Sequence, residues 1–123
     1  MVENPVNVIR VYHGDDGESH FEDVDWPMET VVSGDYVRSA PRRAGETTFA
    51  SQPPGFFYDW HPTPSRRFFV MISGSCEIAV SDGEARTFTR GDVLLLEDLE
   101  GPGHTMRVVG DQPRVAMHVL LKD

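Results

Sequence analysis

The sequence predicts a single all-β domain, and three observations support this prediction. Short runs of β-branched and aromatic residues recur about every 8–12 residues, a spacing typical of sandwiches and barrels. The 11 glycines and 9 prolines fall mostly between these runs, as parts of turn-like segments. No run shows the periodicity of an amphipathic helix. With 123 residues, of which 39% are hydrophobic, the chain 1–123 can form one core but not two.

Each predicted strand is one of these runs, bounded by residues that favour turns. In chain order the runs are 7–12, 47–51, 56–61, 68–72, 77–80, 86–89, 93–96, 105–109 and 115–121. The turn-like segments between them include Gly14-Asp15-Asp16-Gly17, Pro53-Pro54-Gly55, Gly91-Asp92, Gly101-Pro102-Gly103 and Gly110-Asp111-Gln112-Pro113. The pair Asp82-Gly83 predicts a tight hairpin between 77–80 and 86–89, because glycine adopts a positive φ without strain.

No strand is predicted between residues 13 and 46. Gly34-Asp35 indicates a turn there, and the segment 26–44 is irregular. Residues 1–5 are expected to form an ordered arm or a frayed end.

The charge balance excludes several classes of partner. The chain carries 11 basic and 20 acidic residues, a net charge of −9. Such a chain repels phosphate backbones and anionic lipid surfaces, so neither nucleic acid nor a membrane is expected as a partner. No apolar run approaches the roughly 20 residues of a membrane-spanning helix.

The single cysteine, Cys76, cannot form an internal disulfide and is expected as a buried thiol. The N-terminus has no secretory pattern, so a cytoplasmic location is expected.

The run after Gly55 is the most informative part of the chain, because alternate residues of a strand face opposite sides. One face is aromatic and consists of Phe56, Tyr58 and Trp60. The other face carries a carboxylate, an imidazole and a hydroxyl, in the set Phe57, Asp59, His61 and Thr63. If the polar face is inside, its groups need hydrogen-bond partners, a metal or a ligand. If it is outside, the run is an ordinary amphipathic strand.

The segment 55–109 resembles the cupin superfamily, especially its small single-domain bacterial members. The first cupin motif has the order Gly, His, His, Glu, Gly. Gly55 and His61 match the first two positions and Gly74 closes the motif, while Thr63 stands at the second His and Arg67 at the Glu. The resemblance implies a jelly-roll β-barrel of two antiparallel sheets, with the site at the barrel mouth.

The second cupin motif is present in a lengthened form. Gly91-Asp92-Val93 opens it, and Glu97 stands at the position of the family's proline. His104 comes two residues later than the pattern, and Val108 replaces the family's asparagine.

The resemblance implies metal ligands at four positions, of which only His61 and His104 remain. Two imidazoles are fewer than the three protein ligands usual in a catalytic zinc site. The Arg67 guanidinium repels a cation and suits a carboxylate or phosphate. It could instead form a structural ion pair with Asp59 or Glu97. The residues expected to line a ligand pocket are Arg67, Thr63, Phe57, Phe69 and Met106.

Three functions remain open from the sequence. The first is binding of a small organic anion, with metal-independent acid–base chemistry of the isomerase, cyclase or lyase type. His61 and His104 would exchange the protons, and Asp59 or Glu97 would orient an imidazole. The second is a dioxygenase-like oxidoreductase with one divalent Fe, Mn or Zn ion on His61 and His104. The third is a non-catalytic binding or structural module.

For the metal-dependent function, the missing carboxylate ligand could come from Asp59, Glu97 or Asp98. The expected cofactor is accordingly either none or a single divalent metal.

Two further expectations concern surfaces. If His61 faces the barrel lumen, the aromatic face of the same strand points outward, and an exposed apolar patch usually marks an interface. We therefore expect a homodimer, with the run 7–12 as a candidate cover for the rings. On the last strand, the core face is expected to be Val115, Met117, Val119 and Leu121. His118 would then point outward or towards a partner subunit.

Overall fold

The structure is a computed structural model and describes residues 6–31 and 36–123. The expected arm at 1–5 lies outside the described residues, as does the predicted turn at Gly34-Asp35. The strands are β1 (Asn7–His13), β2 (Ser19–Asp25), β3 (Glu29–Thr30), β4 (Val37–Arg38), β5 (Ala44–Gln52), β6 (Phe57–His61), β7 (Arg67–Ser73), β8 (Ser75–Val80), β9 (Ala85–Thr89), β10 (Val93–Glu97), β11 (His104–Val109) and β12 (Arg114–Leu121). Among these residues there is no helix that could cross a membrane.

Two sheets form the body of the protein. The larger has the strand order β2-β1-β10-β7-β12-β5 and the smaller has the order β6-β11-β8-β9, while β3 and β4 pair separately. The prediction of an all-β fold is confirmed. One pairing departs from the antiparallel pattern, because β1 runs parallel to β10. These strands are joined by a long stretch of chain rather than by a hairpin, so the connection does not impose an antiparallel pairing.

The hydrophobic core lies between the two sheets. The six-stranded sheet contributes Ile9, Val11, Phe69, Met71, Leu94, Leu96 and Ala116. The four-stranded sheet contributes Cys76, Ile78, Val80, Phe88, Met106 and Val108. Cys76 is fully buried, as expected, and burial raises the pKa of its thiol. A reactive role for this thiol is disfavoured, because the thiolate is the nucleophilic form.

All nine predicted strands are present in the structure. The hairpin at Asp82-Gly83 is confirmed by the pairing of β8 with β9, and Gly83 has a φ of 103°. The strands β2, β3 and β4 were not predicted. β2 is rich in acidic residues, and only its Phe21 packs against the core, so its composition does not resemble that of a buried strand.

The core face of β12 differs from the prediction. Arg114 and Ala116 are buried, and His118 shares their side of the strand and lines a cavity. The prediction assigned the more hydrophobic face to the core. It failed because the inner face of this strand carries polar side chains that surround the cavity.

The expected cover for the aromatic rings is not formed within one protomer. β1 lies inside the six-stranded sheet, between β2 and β10, whereas the rings of Tyr58 and Trp60 belong to β6 of the other sheet. Both rings are about half exposed.

Candidate functional site

A cavity of about 180 Å³ opens between the two sheets. Its polar or ionisable lining side chains are Gln52, Tyr58, His61, Thr63, Arg67, His104, Arg114 and His118. Its apolar lining residues are Pro64, Phe69, Ile78, Leu96 and Met106. An apolar pocket with a few convergent polar groups is the usual form of a small-molecule site.

Gly103 brings the two motif histidines together. His61 on β6 is paired with His104 on β11, and their ring centroids lie 4.5 Å apart. Gly103 has a φ of 71°, and a Cβ at this position would collide with the backbone carbonyl of His61. Only glycine allows this close approach. The lengthened second motif therefore does not turn His104 away from His61.

His104 is held by a buried carboxylate. Its Nδ1 lies 2.6 Å from Oδ2 of Asp98, and the other oxygen of Asp98 accepts a hydrogen bond of 2.7 Å from the Thr63 hydroxyl. All three residues are buried. Because an ionised carboxylate only accepts hydrogen bonds, the proton lies on Nδ1 of His104. Nε2 is then the basic nitrogen of this ring.

His61 is oriented in a similar way by the backbone. Its Nδ1 lies 2.7 Å from the carbonyl oxygen of Asp59, so Nδ1 carries the proton here as well. The ring stacks on Tyr58 at a centroid distance of 3.6 Å. Burial lowers the pKa of His61, and the neighbouring His104 lowers it further, against the opposing effects of the Asp59 carbonyl and Asp98. The neutral form of His61 is therefore favoured near neutral pH.

A β-bulge explains why Tyr58 faces the same cavity as His61. His61 is paired with His104 and Tyr58 with Met106, so β6 uses one more residue than β11 over this stretch. Such an extra residue shifts the alternation of side chains by one position. Strict alternation over 56–63, as expected from the sequence, would place Tyr58 on the outer face. This prediction is wrong, because the bulge turns Tyr58 towards the cavity.

Arg67 lines the cavity and has no carboxylate partner among the described residues. Its Nε donates to the carbonyl of Ser65 at 3.0 Å and its Nη2 to the Ser65 hydroxyl at 3.1 Å. Nη1 lies 3.4 Å from Nδ1 of His118. Because a guanidinium has five N–H donors, some of them remain available to a ligand.

His118 is kept neutral by its surroundings. Burial lowers its pKa to about 4, and the positive charges of Arg67 and Arg114 act in the same direction. Its Nδ1 can then accept a hydrogen bond from Arg67, which itself can only donate.

Arg114 is among the most buried residues of the cavity wall and is only 2% exposed. Its Nε and Nη2 donate to Oε1 of Gln52 at 3.0 and 2.6 Å, and its Nη1 is buried without a hydrogen-bond partner. The guanidinium packs on the ring of Phe69, with Cζ 4.6 Å from the ring centroid. Within the described residues, the ion pairs of other arginines involve carboxylates, but none involves Arg67 or Arg114.

The structure brings most of the predicted site residues together in this cavity. They are His61, His104, Arg67, Thr63, Phe69 and Met106.

Three predicted site residues lie elsewhere. The carboxylate of Asp59 accepts a hydrogen bond from the backbone N–H of Trp60. Glu97 binds Arg10 and Arg66 and is not part of the cavity wall. Phe57 is 43% exposed and packs against Arg107. The carboxylate that orients an imidazole is therefore neither Asp59 nor Glu97 but Asp98, one residue beyond β10.

Several cavity residues were not predicted as members of the site. They are Gln52, Tyr58, Arg114 and His118. Arg114 and His118 could have been found from their spacing, because residues four apart on a strand share one face. Gln52 could not, because it joins the site through the pairing of β5 with β12.

The side chains present do not fit a metal site with three protein ligands. No group of three or more metal-ligating residues is assembled anywhere in 6–31 or 36–123. His61 and His104 are close to each other, but Asp98 is engaged by Nδ1 of His104 and the hydroxyl of Thr63. The cationic Arg67 stands on the same wall, where its charge repels a metal cation.

Comparison with known proteins bears on the fold. No protein-family model and no curated protein matches this sequence. DMSP lyase DddQ from Ruegeria pomeroyi is structurally similar, with a TM-score of 0.53 and 22% identity over 63% of this chain and 38% of that chain. A cupin 2 conserved barrel domain protein from Salinispora arenicola has a TM-score of 0.51 and 24% identity over 62% of this chain and 61% of that one. Each match thus covers less than two thirds of the length of the similar protein.

These similarities concern the fold of the chain. The chain has the fold of the cupin superfamily, as the motifs in 55–109 implied. Within that fold, its two motif histidines are accompanied by a threonine and an arginine where the family pattern has a histidine and a glutamate.

Proposed function

We propose that the cavity binds a small organic carboxylate and that His104 exchanges a proton with it. The observation that carries the proposal is the pairing of an oriented imidazole with a guanidinium that has no carboxylate partner in the described residues. Arg67 supplies the positive charge, and the dyad of Asp98 and His104 supplies the base.

The anionic character of the ligand follows from the charges on the cavity wall. In the part of the chain that the structure describes, Asp98 is the only carboxylate hydrogen-bonded to a lining imidazole, and it is already occupied by two hydrogen-bond donors. Arg67 and Arg114 stay protonated at any working pH, even though burial lowers the pKa of both groups. A carboxylate satisfies the planar guanidinium better than any neutral group does.

The acid–base role follows from the arrangement of His104. Since its Nδ1–H is bound to Asp98, Nε2 can accept a proton, and Asp98 stabilises the imidazolium that forms. His61 lies close enough for a second proton transfer to the same ligand. Proton transfer next to a carbonyl or carboxylate group is the step shared by isomerases, cyclases and lyases.

Calorimetry with a panel of small carboxylates and their isosteric amides tests the binding. We expect the carboxylates to bind and Arg67→Gln to weaken them about tenfold or more, as loss of a charge-assisted hydrogen bond does. Arg66→Gln is the matched control, because this neighbour binds Glu97 outside the cavity. Equal affinities in the two variants, or no binding by any carboxylate, would overturn the proposal.

Exchange of carbon-bound hydrogen in D₂O tests the proton transfer. Those carboxylates that bind are incubated with the protein and followed by NMR. We expect exchange with the native protein and a loss of about 10²-fold or more with His104→Gln, within the range for a general base. Binding without any exchange would identify the protein as a binding module.

A further inference from the structure

Arg114 and Gln52 form a second polar group in the cavity that the proposed function does not use. Arg114 is buried almost completely, and its Nη1 has no hydrogen-bond partner among residues 6–31 and 36–123. A buried charge is normally paired. Here the groups that face it are the neutral oxygen of Gln52 and the thiol of Cys76, whose pKa is raised by burial, so no carboxylate among the described residues neutralises the positive charge of Arg114.

The orientation of the Gln52 amide follows from this contact. A guanidinium only donates hydrogen bonds, so the atom of Gln52 that faces Arg114 must be the oxygen. The NH₂ group of the same amide has no protein partner in the described part of the chain, and Gln52 lines the cavity. It is therefore available to donate to an anion beside Arg114.

The two guanidiniums stand at different places on one wall of the cavity. Phe69 separates them, because its ring centroid is 4.6 Å from Cζ of Arg114 and 4.9 Å from the centroid of His118. His118 in turn contacts Arg67. A single carboxylate bound at Arg67 would leave Arg114 without a counter-charge.

The electrostatics of His118 show that both charges act on the same space. Its pKa is lowered to about 4 by burial and by the charges of Arg67 and Arg114 together. The imidazole stays neutral and adds no third positive charge between them.

The size of the cavity limits the ligand. A volume of about 180 Å³ lies below the roughly 300–1,000 Å³ usual for pockets that hold drug-sized ligands. A ligand of this size has few non-hydrogen atoms, and a short dicarboxylate fits.

We propose that the ligand is a short dicarboxylate, with one carboxylate at Arg67 and the other at a subsite formed by Arg114 and Gln52. This inference rests on the proposed function, since it assumes that a carboxylate occupies Arg67. It adds the chemical class of the ligand and a residue pair that determines specificity.

The ligand series malonate, succinate and glutarate tests this inference at pH 7.5 and fixed ionic strength. Each dianion is compared by calorimetry with its monoamide, which has the same length and one charge less. We expect at least one dianion to bind about tenfold or more tightly than its monoamide, the size of effect that one charge-assisted pair produces.

The substitution Gln52→Glu gives the sharpest variant. It places a carboxylate on Arg114 inside the protein, so the subsite is occupied and the buried charge is compensated. We expect the preference for the dianion to fall below about twofold, while the monoamide still binds at Arg67. Ser51→Glu is the matched control, because it adds the same charge to an exposed neighbour on β5.

The outcomes separate the inference from the proposed function. If the dianion and the monoamide bind equally well and both depend on Arg67, the proposal that the ligand is a dicarboxylate is overturned. The proposed function remains intact in that case. A preference that survives Gln52→Glu would overturn the assignment to Arg114. If no member of the series binds while another carboxylate of the panel does, the dicarboxylate assignment fails and the proposed function stands; if no carboxylate binds at all, both fail.

A spectroscopic measurement keeps the test decisive if Gln52→Glu does not fold. In ¹H–¹⁵N spectra of the native protein, the dianion should shift the Nε–H of Arg114 and the side-chain NH₂ of Gln52. The monoamide should shift the Nε–H of Arg67 and leave those two signals in place. Identical shift patterns for both ligands would overturn the second subsite.

Discussion

At the scale of single residues, His118 shows how a cavity changes the chemistry of a side chain. Its ring lies in a wall that also carries Arg67 and Arg114, so its protonated form is penalised by burial and by two positive charges. The same side chain would have an ordinary pKa near 6.5 in the unfolded chain. The folded and unfolded states therefore bind different numbers of protons at mildly acidic pH.

This difference predicts a loss of stability in acid. The pKa of His118 is about 4 in the folded state, which is below its value in the unfolded state. The contribution of neutral His118 to the free energy of unfolding is therefore fully present above pH 6.5. It is lost progressively as the pH falls from 6.5 towards 4, where the unfolded state takes up the proton first. Because the ring is partly exposed, the full electrostatic effect is reduced by solvent, and we expect the free energy of unfolding at pH 5 to be about 1 kcal/mol lower than at pH 7.

Urea unfolding of the native protein and of His118→Gln at pH 7 and pH 5 measures this contribution. The native protein should lose more stability than the variant between these two pH values. An NMR titration of the His118 ring provides the direct check. A titration of this ring between pH 6 and 7 would contradict the role given to the two guanidiniums.

At the scale of strands, the position of His104 depends on the backbone before it. Gly103 packs against the carbonyl of His61, and the hydroxyl of Ser19 donates to the carbonyl of Gly103 at 2.6 Å. Ser19 also exchanges hydrogen bonds with Ser81, which ties β2 and the β8–β9 hairpin to the same point. The close approach of β6 and β11 thus rests on a buried network and on the absence of a side chain.

Replacement of Gly103 by alanine should separate these strands. Gly110 offers a matched control, since it has a similar φ of 82° against 71° but no atom within 4 Å of a new Cβ. We expect Gly110→Ala to cost about 1–2 kcal/mol from the backbone conformation alone. Gly103→Ala should cost about 3 kcal/mol or more, because it adds a collision with His61.

Urea unfolding compares the two alanine variants, and calorimetry with the tightest carboxylate reports on the site. Only Gly103→Ala should also lose binding. Equal destabilisation of the two variants would show that the contact with His61 is not critical.

The strands also show how much of the fold can be predicted from the sequence. The nine runs and the Asp82-Gly83 hairpin are encoded locally, by composition and turn residues, and the structure contains all of them. His61, Arg67 and His104 were found because they stand at motif positions. Tyr58 was misplaced because a β-bulge in β6 depends on the pairing with β11, which no local pattern records.

The carboxylate of the site was misassigned for a similar reason. Glu97 and Asp98 are adjacent, but their side chains point in different directions because β10 ends between them. Glu97 is still on the strand and turns towards Arg10 and Arg66, whereas Asp98 lies just beyond it and turns inward to Thr63 and His104. A shift of one residue at a strand end exchanges the inner and outer faces.

At the scale of the whole molecule, charge is distributed unevenly. The chain has a net charge of −9, yet none of the described residues that line the cavity carries a carboxylate, and the two guanidiniums in the lining have no carboxylate partner in the described part of the chain. Asp98 lies behind the wall, where Thr63 and His104 are hydrogen-bonded to it. Outside the cavity, arginines such as Arg10 and Arg86 are engaged by carboxylates. The cavity is thus a local positive region in an acidic protein, which favours small anions that can enter it over large polyanions that would meet the surface.

The outer surface has one more feature that concerns the whole molecule. β5 and β6 are edge strands of the two sheets, and exposed rings lie on both of them. Phe49 is 71% exposed and Trp60 is 48% exposed. Edge strands with exposed apolar groups tend to pair with another chain, so the homodimer expected from the sequence stays a prediction.

Sedimentation equilibrium over a range of protein concentrations tests for the homodimer. We expect a dimer of the native protein and a dissociation constant raised about tenfold or more by Phe49→Ser or Trp60→Ser, because aromatic residues dominate the binding energy of interfaces. Ile72→Ser is the matched control, since Ile72 is 40% exposed but lies on the interior strand β7. A native protein that stays monomeric at every concentration would contradict the prediction, and so would a dimer weakened equally by the control. A dimer that depends on Phe49 and Trp60 would place the second copy beside β6, the strand that carries Tyr58 and His61.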